Sequence, residues 1–326
     1  MNPDDLLQDF YYSDAYISLY AQEEDEELFG FEYKEGREYF IAKSLKRPIR
    51  KVAGTDIEPL LFDLNSVYGY QGYRSNSEDP AFIGRALDKY TAYAIKHNVV
   101  AEFMFFHPFN DFPVRFHSFF DYIVADRNYV VVNLQENLFP NYRRKHRSAV
   151  RKAMRELLFK EGDDVEKLMH LYRWTMKKIG ISVDKKFNME FFHNLLSSKE
   201  CKLFEVTNGH ETLTMGIFIY SPPFMHYHVS ANSELGYKLN AHKLLVHKAL
   251  EFGYEEGCRY GILGIGRSTS PNDSLYQFKK HFSRNEIQGY VAGKIFNNTE
   301  YDRLCRLHEE ATRRKSDRFF KYRMPI

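Results

Sequence analysis

Cysteine is scarce in this chain of 326 residues, which contains only Cys201, Cys258 and Cys305. None of the three belongs to a Cys-x-x-Cys pair, and their number is odd. The sequence therefore predicts neither a disulfide framework nor a zinc site, and we predict no other metal site. Reduced thiols are typical of the cytoplasm, so we expect a cytoplasmic location.

Long apolar runs are also lacking, and tryptophan occurs once. No run approaches the roughly 18 residues that a membrane-spanning helix needs. The acidic N-terminal segment, residues 1–30, carries nine Asp or Glu and no Lys or Arg. Because it has no apolar core, we expect no signal peptide, and any membrane contact would be peripheral.

The residues that are present indicate a globular α/β protein. Hydrophobic residues make up 44% of the chain and charged residues 28%, which is enough for a sizeable core. Helical and strand patterns alternate throughout. A helix over 80–96 followed by a strand over 99–106 has the same order as a helix over 241–255 followed by a strand over 260–265. This repetition indicates a duplicated unit, and we predict domains at 1–150 and 151–326.

The segment His226-Tyr-His-Val-Ser230 has the pattern of a strand. Strict alternation would place His226, His228 and Ser230 on one face and Tyr227 on the other. A histidine can accept a proton near neutral pH, and an attacking amine has to lose one. The alternative is that both histidines are hydrogen-bonded structural residues.

The segment Leu235–Leu245 reads as a polar turn that opens a helix. Free N–H groups at a helix start bind anions such as a pyrophosphate. We predict that Gly236, Asn240 and Ala241 contact the phosphates of a donor, with Asn240 as the N-cap. Many turns between a strand and a helix share this composition.

A third segment, Asp273–Phe282, is in helical register. It places Leu275, Phe278 and Phe282 on one face, with Lys279 beside them. A lysine at the edge of an apolar helix face can stabilise a phosphate or a developing negative charge.

The stretch from Asn141 to Ala153 is strongly basic. We predict an apolar stripe of Val150, Ala153, Met154, Leu157 and Leu158, flanked rather than opposed by a strip of Arg144, Arg147, Arg151 and Arg155. Such a strip can hold diphosphate or carboxylate groups. The alternatives are a solvated basic face and direct binding of nucleic acid.

These segments, taken in order, resemble the second domain of the Fem family of acyltransferases. The resemblance covers roughly residues 60–295. It rests on the strand H-Y-H-V-S-A, the helix K-L-N-A-H-K-L-L, the strand G-I-L-G-I-G and the helix D-S-L-Y-Q-F-K-K-H-F-S. The loop Tyr68-Gly-Tyr-Gln-Gly72, the pair His107-Pro108 and the basic stretch are similar to the family's too.

The resemblance implies an α/β fold with two tandem GNAT-like domains, each a mixed central sheet flanked by helices, and a cleft between them. It implies transfer of an acyl or aminoacyl group to an amine of a cell-envelope precursor, either a peptidoglycan peptide or a carrier-linked amino sugar. No tightly bound cofactor is expected, since the donor substrate is acyl-CoA or aminoacyl-tRNA. The partners would be an anionic envelope precursor or nucleotide sugar, and tRNA.

The family's Phe-Lys pair corresponds here to Phe278-Lys279, which the resemblance places at the active site. Tyr68, Tyr70 and Tyr227 would line the groove, and Arg144, Arg147 and Arg151 would hold the anionic acceptor. The long helical insertion of some tRNA-using members is absent, and so is a clean Q/R-x-x-G-x-G/A signature for acetyl-CoA. Two alternatives follow: an acyl-CoA-dependent N-acetyltransferase acting on a small amine or amino sugar, and a non-catalytic binding protein with the same fold.

Overall fold

The computed structural model describes residues 3–182 and 187–325. Contacts divide the chain into two compact units. Unit 1 contains the residues up to Leu7, Tyr11–Asp126 and the residues from Gly289 onward. Unit 2 contains Gln8–Phe10 and Arg127–Gln288.

The strands are numbered along the chain. They are β1 (Glu27–Glu35), β2 (Glu38–Val52), β3 (Thr55–Asn65), β4 (Arg74–Ser75), β5 (Val99–Phe105), β6 (Tyr122–Asn133), β7 (Leu158–Glu161), β8 (Cys201–Thr207), β9 (Thr212–Ser221), β10 (Phe224–Asn232), β11 (Tyr260–Gly264) and β12 (Glu286–Ile295).

The α-helices are numbered in the same way. They are α1 (Asp14–Ser18), α2 (Pro80–Lys96), α3 (Phe112–Arg115), α4 (Leu138–Asn141), α5 (Arg144–Glu156), α6 (Val165–Lys178), α7 (Met189–Leu196), α8 (Glu234–Leu239), α9 (Ala241–Glu255), α10 (Ser274–Lys279) and α11 (Asn298–Thr312). The domain boundary predicted after residue 150 lies within α5.

Unit 1 is built on a mixed sheet in the order β1-β2-β3-β5-β12. Its first three strands are antiparallel, β3 and β5 are parallel, and β12 runs antiparallel to β5. Helix α2 makes the crossover between the parallel strands. It begins at Pro80 because the Asp79 carboxylate accepts the N–H groups of Ala81 and Phe82. Its buried face joins the main core of the unit.

Unit 2 repeats this plan in the order β7-β8-β9-β10-β11-β6. Strands β7 to β10 are antiparallel, β10 and β11 are parallel, and β6 runs antiparallel to β11. Helix α9 makes the crossover, and Leu244, Leu245 and Leu250 bury its apolar face against the core. The hydrophobic effect therefore holds α9 on the sheet beside β10.

The repeated order of helix and strand that the sequence predicts is confirmed, and so is the mixed α/β class of the fold. The sequence does not predict which strands complete the sheets. A late segment of the chain, β12, lies beside β5 in unit 1, whereas the earlier β6 lies beside β11 in unit 2. Among the described residues, no helix has the length and hydropathy required to cross a membrane.

Candidate active site

The candidate site of unit 2 lies where β10 and β11 stop pairing. Their parallel pairing covers only Phe224–His226 and 260–262, although β10 continues to Asn232 and β11 to Gly264. Just beyond this point, the ammonium group of Lys279 lies 2.7 Å from the carbonyl oxygen of Ile265. The same atom is 5.6 Å from the centre of the Tyr227 ring. One cation is thus held beside the point where the two strands stop pairing.

Lys279 is buried although it closes a short helix. Asp273 starts α10 by accepting the N–H groups of Leu275 and Tyr276 at 3.0 and 2.9 Å, and Lys279 is only 7% exposed. Burial lowers the pKa of Lys279 to about 7, the Asp273 carboxylate opposes this effect, and the Arg267 guanidinium adds to it. The side chain therefore changes between ammonium and amine close to neutral pH.

A glycine makes room for this ammonium group. Gly264 has φ of +84°, and a Cβ atom built on it would lie 3.2 Å from Nζ of Lys279. The ring of Tyr227, which also lies near this ammonium group, stacks on Phe218 with centroids 5.4 Å apart. The Tyr227 hydroxyl is also hydrogen-bonded to Oγ of Ser230. The electron-rich ring is fixed near the cation, an arrangement that favours the charged form.

Phe278, the other member of the predicted pair, points in a different direction from Lys279. Its ring lies 4.8 Å from His242 on α9 and 5.3 Å from Phe282. It is therefore part of the packing between α9 and α10, whereas Lys279 turns toward β11. Phe278 positions α10 and so positions its neighbour.

The predicted faces of the histidine strand are wrong in one respect, because β10 contains a bulge. Tyr227 pairs with Phe218 and Val229 pairs with Ile217, which leaves His228 as the extra residue. Since Ser230 then pairs with Gly216, it shares the face of Tyr227 and not that of His226. His226 pairs with Ile219 and lies on the opposite face of the sheet from Tyr227.

Both histidines are deeply buried. Nε2 of His226 is 2.9 Å from a carboxylate oxygen of Asp9, a partner more than two hundred residues away that no sequence signal indicates. Burial lowers the pKa of His228 to about 3, so it is neutral at physiological pH. The structure therefore does not bring His226 together with Lys279, and a catalytic role for either histidine stays a prediction.

The predicted anion-binding turn is itself a helix, α8. Its residue Gly236 already donates its N–H to Oγ of Ser233 at 2.9 Å. A Cβ atom there would lie 2.2 Å from the carbonyl oxygen of Leu213, so close packing explains this glycine. Asn240 stands at the N-cap position of α9, as predicted, but with φ of +61° and without a side-chain cap bond. Ala241, the first residue of α9, is buried.

The basic helix α5 differs from its prediction. Arg144, Arg151 and Arg155 are exposed and lie opposite the buried Val150 and Ala153, not beside them. Their charges are solvated because burying them unpaired would cost several kcal/mol each. Arg147 is half-buried and donates to the carbonyl oxygen of Phe139 at 3.5 Å.

Two residues predicted for the apolar stripe are not in it. Met154 is 38% exposed, and Leu158 is 62% exposed because the helix ends at Glu156 and Leu158 begins β7. The Arg151 guanidinium lies 5.0 Å from the centre of the Phe139 ring. Arginines on this face can still bind an anionic ligand that approaches from solvent.

The two tyrosines predicted from the glycine-rich loop belong to unit 1. Tyr68 is 47% exposed, and its carbonyl oxygen accepts a hydrogen bond from the hydroxyl of Tyr16 at 2.7 Å. Tyr70 is buried, with its ring 5.1 Å from that of His107. Only Tyr68 of the two offers its ring to solvent, and a role in substrate binding stays a prediction for both.

Sequence reasoning missed the residues that surround Lys279. Gly264, the carbonyl group of Ile265 and the charge of Arg127 all act on its side chain. A glycine at the end of an apolar strand was the available signal for Gly264. Nothing in the sequence links Arg127 to a lysine so far along the chain.

Comparison with solved structures shows the fold. FemX superposes with a TM-score of 0.73 at 13% identity, over 93% of this chain and 98% of FemX. The C-terminal domain of a putative lysylphosphatidylglycerol synthetase from Agrobacterium fabrum superposes with a TM-score of 0.56 at 10% identity, over 92% of this chain and 94% of that one.

L-PGS from Bacillus licheniformis superposes with a TM-score of 0.54 at 12% identity, over 83% of this chain and 84% of the other. No family model matches the sequence, and no curated protein matches it either. The chain has the fold of FemX, which confirms the resemblance at the level of fold.

Proposed function

We propose that this protein is an acyltransferase that forms an amide on an amine of a cell-envelope precursor. The observation that carries the proposal is the buried Lys279, held at 2.7 Å by the Ile265 carbonyl group where β10 and β11 stop pairing. The FemX fold supports it. The Fem family, which the segment around Phe278-Lys279 resembles, carries a corresponding Phe-Lys pair.

In the reaction, the amine of the acceptor attacks the acyl carbonyl carbon and a C–N bond forms. The carbonyl oxygen then carries a negative charge, which the ammonium form of Lys279 stabilises. Collapse of this intermediate breaks the ester bond of an aminoacyl-tRNA or the thioester bond of an acyl-CoA. The proton lost by the amine passes to the leaving hydroxyl or thiol group, so that charge and atoms balance.

The backbone N–H groups of β10 around the bulge at His228 form the second half of this oxyanion site. A bulge redirects main-chain groups that a regular ladder would use for pairing. Tyr227 lines the site, and the exposed cations Arg144 and Arg151 attract the anionic acceptor.

Two donors remain candidates, acyl-CoA and aminoacyl-tRNA, and the acceptor is a peptidoglycan peptide or a carrier-linked amino sugar. The similarity in fold to a putative lysylphosphatidylglycerol synthetase supports an aminoacyl group and an envelope component. With acyl-CoA as donor, a small amine or amino sugar is the alternative acceptor.

The test measures amide formation with each donor, using a panel of peptidoglycan precursor peptides and amino sugars. We expect turnover with one donor and a loss of about 10²–10³-fold in kcat for Lys279→Met, which removes the charge and keeps most of the length of the side chain. The matched control is Lys280→Met, because Lys280 follows on the chain but is paired with Glu286 at 2.9 Å. It should keep nearly full turnover.

Two results would overturn the proposal. One is full turnover by a folded Lys279→Met protein, which would remove the lysine from the chemistry. The other is the absence of amide formation with both donors across the acceptor panel, which would favour a non-catalytic binding protein.

A further inference from the structure

A row of aromatic rings in unit 2 leads away from the pair Phe278-Lys279. The ring of Phe278 lies 4.8 Å from that of His242. His242 in turn lies 5.4 Å from Tyr237, and Tyr237 lies 6.4 Å from Trp174. The four rings belong to α10, α9, α8 and α6 and are all partly exposed. They form a continuous aromatic surface that none of the proposed chemical steps uses.

Cations accompany this aromatic row. Nζ of the exposed Lys178 lies 4.2 Å from the centre of the Tyr237 ring and 4.9 Å from that of Trp174. Burial raises the pKa of the Tyr237 phenol, and the charge of the exposed Arg267 opposes this rise, so Arg267 lies within electrostatic range of the phenol. Glu234, a carboxylate on which the charge of Lys178 acts, is paired with Lys238 at 2.9 Å.

One member of the aromatic row has an unused polar atom. Nδ1 of His242 is buried and has no hydrogen-bond partner within the described ranges. Burial lowers the pKa of His242 to about 3, so its ring is neutral and uncharged at physiological pH. A buried polar atom without a partner costs free energy, and a ligand that supplies a partner recovers that cost.

Aromatic rings interleaved with cations are the surface that nucleotides require. A base stacks on an aromatic face, and the phosphates attached to its sugar pair with lysine and arginine. An anionic group without a flat ring, such as a phospholipid headgroup, would use the cations but would leave the rings unoccupied. The composition of the aromatic row therefore favours a ligand that is both flat and anionic.

We infer that the aromatic row binds the nucleotide end of the acyl donor, with a base stacked at Tyr237 and Trp174 and phosphates at Lys178 and Arg267. This inference rests on the proposed function, because both candidate donors carry an adenosine next to phosphate groups. The acyl group would then extend along His242 and Phe278 toward Lys279.

The single tryptophan of the chain, Trp174, reports on this surface directly. Titration of the intact protein with coenzyme A, with a short single-stranded RNA ending in adenosine, and with inorganic pyrophosphate should separate the sources. We expect quenching of Trp174 fluorescence by coenzyme A or by the RNA, and much weaker or no quenching by pyrophosphate. The nucleotide that binds more tightly identifies the donor.

Substitutions make the test specific to the aromatic row. Tyr237→Ala should weaken binding of that nucleotide by about 5- to 150-fold, as expected for the loss of one stacked base, whereas Tyr237→Phe should keep it. Tyr254→Ala is the matched control, since Tyr254 is a tyrosine of α9 that is 57% exposed and lies outside the row. Lys178→Ala, an exposed change that leaves the core intact, should lower the salt dependence of RNA binding by about 0.7 in the log–log slope.

The inference is overturned if neither nucleotide quenches Trp174, or if Tyr237→Ala and Lys178→Ala bind as the unaltered protein does. Failure of the proposed function looks different. In that case the nucleotide binds at the aromatic row with the expected dependence on Tyr237, but no amide forms. If instead amide formation requires Lys279 but is unaffected by Tyr237→Ala, the proposed function is supported and the nucleotide site at the aromatic row is contradicted.

Discussion

Nζ of Lys279 donates a hydrogen bond to the carbonyl oxygen of Ile265 at 2.7 Å. Within the part of the chain that is described, no carboxylate lies within ion-pair distance of this lysine. A single carbonyl dipole compensates a buried ammonium group only in part, which explains why the pKa of Lys279 falls to about 7. The cation is thus held in place but remains available for a negative charge that develops beside it.

The pH dependence of turnover follows from this pKa. If the ammonium form of Lys279 stabilises the oxyanion, kcat should fall as the pH rises through about 7. Lys279→Arg, which stays charged, should move this fall to higher pH even if its activity is low. A pH profile that rises through the same range for the unaltered protein would show that the neutral amine acts instead, as a base.

The same group affects the pH dependence of stability. The pKa of Lys279 is lower in the folded state than the ordinary lysine value of about 10.4. Between these two values the unfolded chain binds more protons, so stability should increase as the pH rises from about 7 toward 10. Thermal midpoints of Lys279→Met across this range should increase less than those of the unaltered protein. Parallel midpoints for the two proteins would contradict the lowered pKa.

We expect Gly264 to be required for the position of Lys279, and not only for the backbone conformation at residue 264. Gly264→Ala introduces a Cβ atom 3.2 Å from Nζ of Lys279 in addition to left-handed backbone strain of about 1–2 kcal/mol. Gly257→Ala carries similar strain at φ of +81°, but its Cβ atom meets nothing within 4 Å. We expect both variants to lower the thermal midpoint by similar amounts. Only Gly264→Ala should also lower kcat. Equal turnover of both variants would show that the space beside Lys279 is not needed.

A buried carboxylate holds the end of the chain in unit 1. Asp63 is fully buried and accepts hydrogen bonds from Nε of Arg323 at 2.7 Å and from Nη2 of Arg47 at 2.8 Å. Asp63→Asn should destabilise the protein by about 1.5–3 kcal/mol, because two charged donors lose their charged acceptor. Asp56→Asn on the same strand removes an exposed pair with Lys51 and should cost less than about 1 kcal/mol. Denaturant unfolding measures the free energy of unfolding of both variants. Equal losses would contradict a stabilising role for the buried Asp63 carboxylate.

Glu102 gives unit 1 a second pH-sensitive group. Its carboxylate is buried and accepts hydrogen bonds from the hydroxyls of Tyr73 at 2.8 Å, Tyr90 at 3.0 Å and Ser44 at 2.5 Å. Burial raises the pKa of Glu102, so its stability contribution is complete at acidic pH and decreases as the pH rises through the raised value. The thermal midpoint of the unaltered protein should therefore decrease as the pH rises from mildly acidic to neutral. Glu102→Gln should make this decrease smaller. An unchanged loss would assign that dependence to other groups.

The sequence by itself determined the elements that depend on local periodicity. Helices α2 and α9 begin and end at the predicted residues, since their apolar stripes recur every three to four positions. The order of helix and strand in the two units also follows from pattern alone. The pair Phe278-Lys279 could be selected from its place in a helical segment and from the family that this segment resembles.

Only the tertiary structure decided the features that depend on distant partners. The bulge at His228 moved Ser230 to the face of Tyr227, and the pairing of β12 with β5 assigned the end of the chain to unit 1. Strand pairing and burial are set by hydrogen-bond partners and core contacts that lie far away in sequence. Hydrophobic periodicity is a local pattern and does not identify these distant partners. The lowered pKa of Lys279 has the same origin, because a lysine is desolvated only by the fold around it.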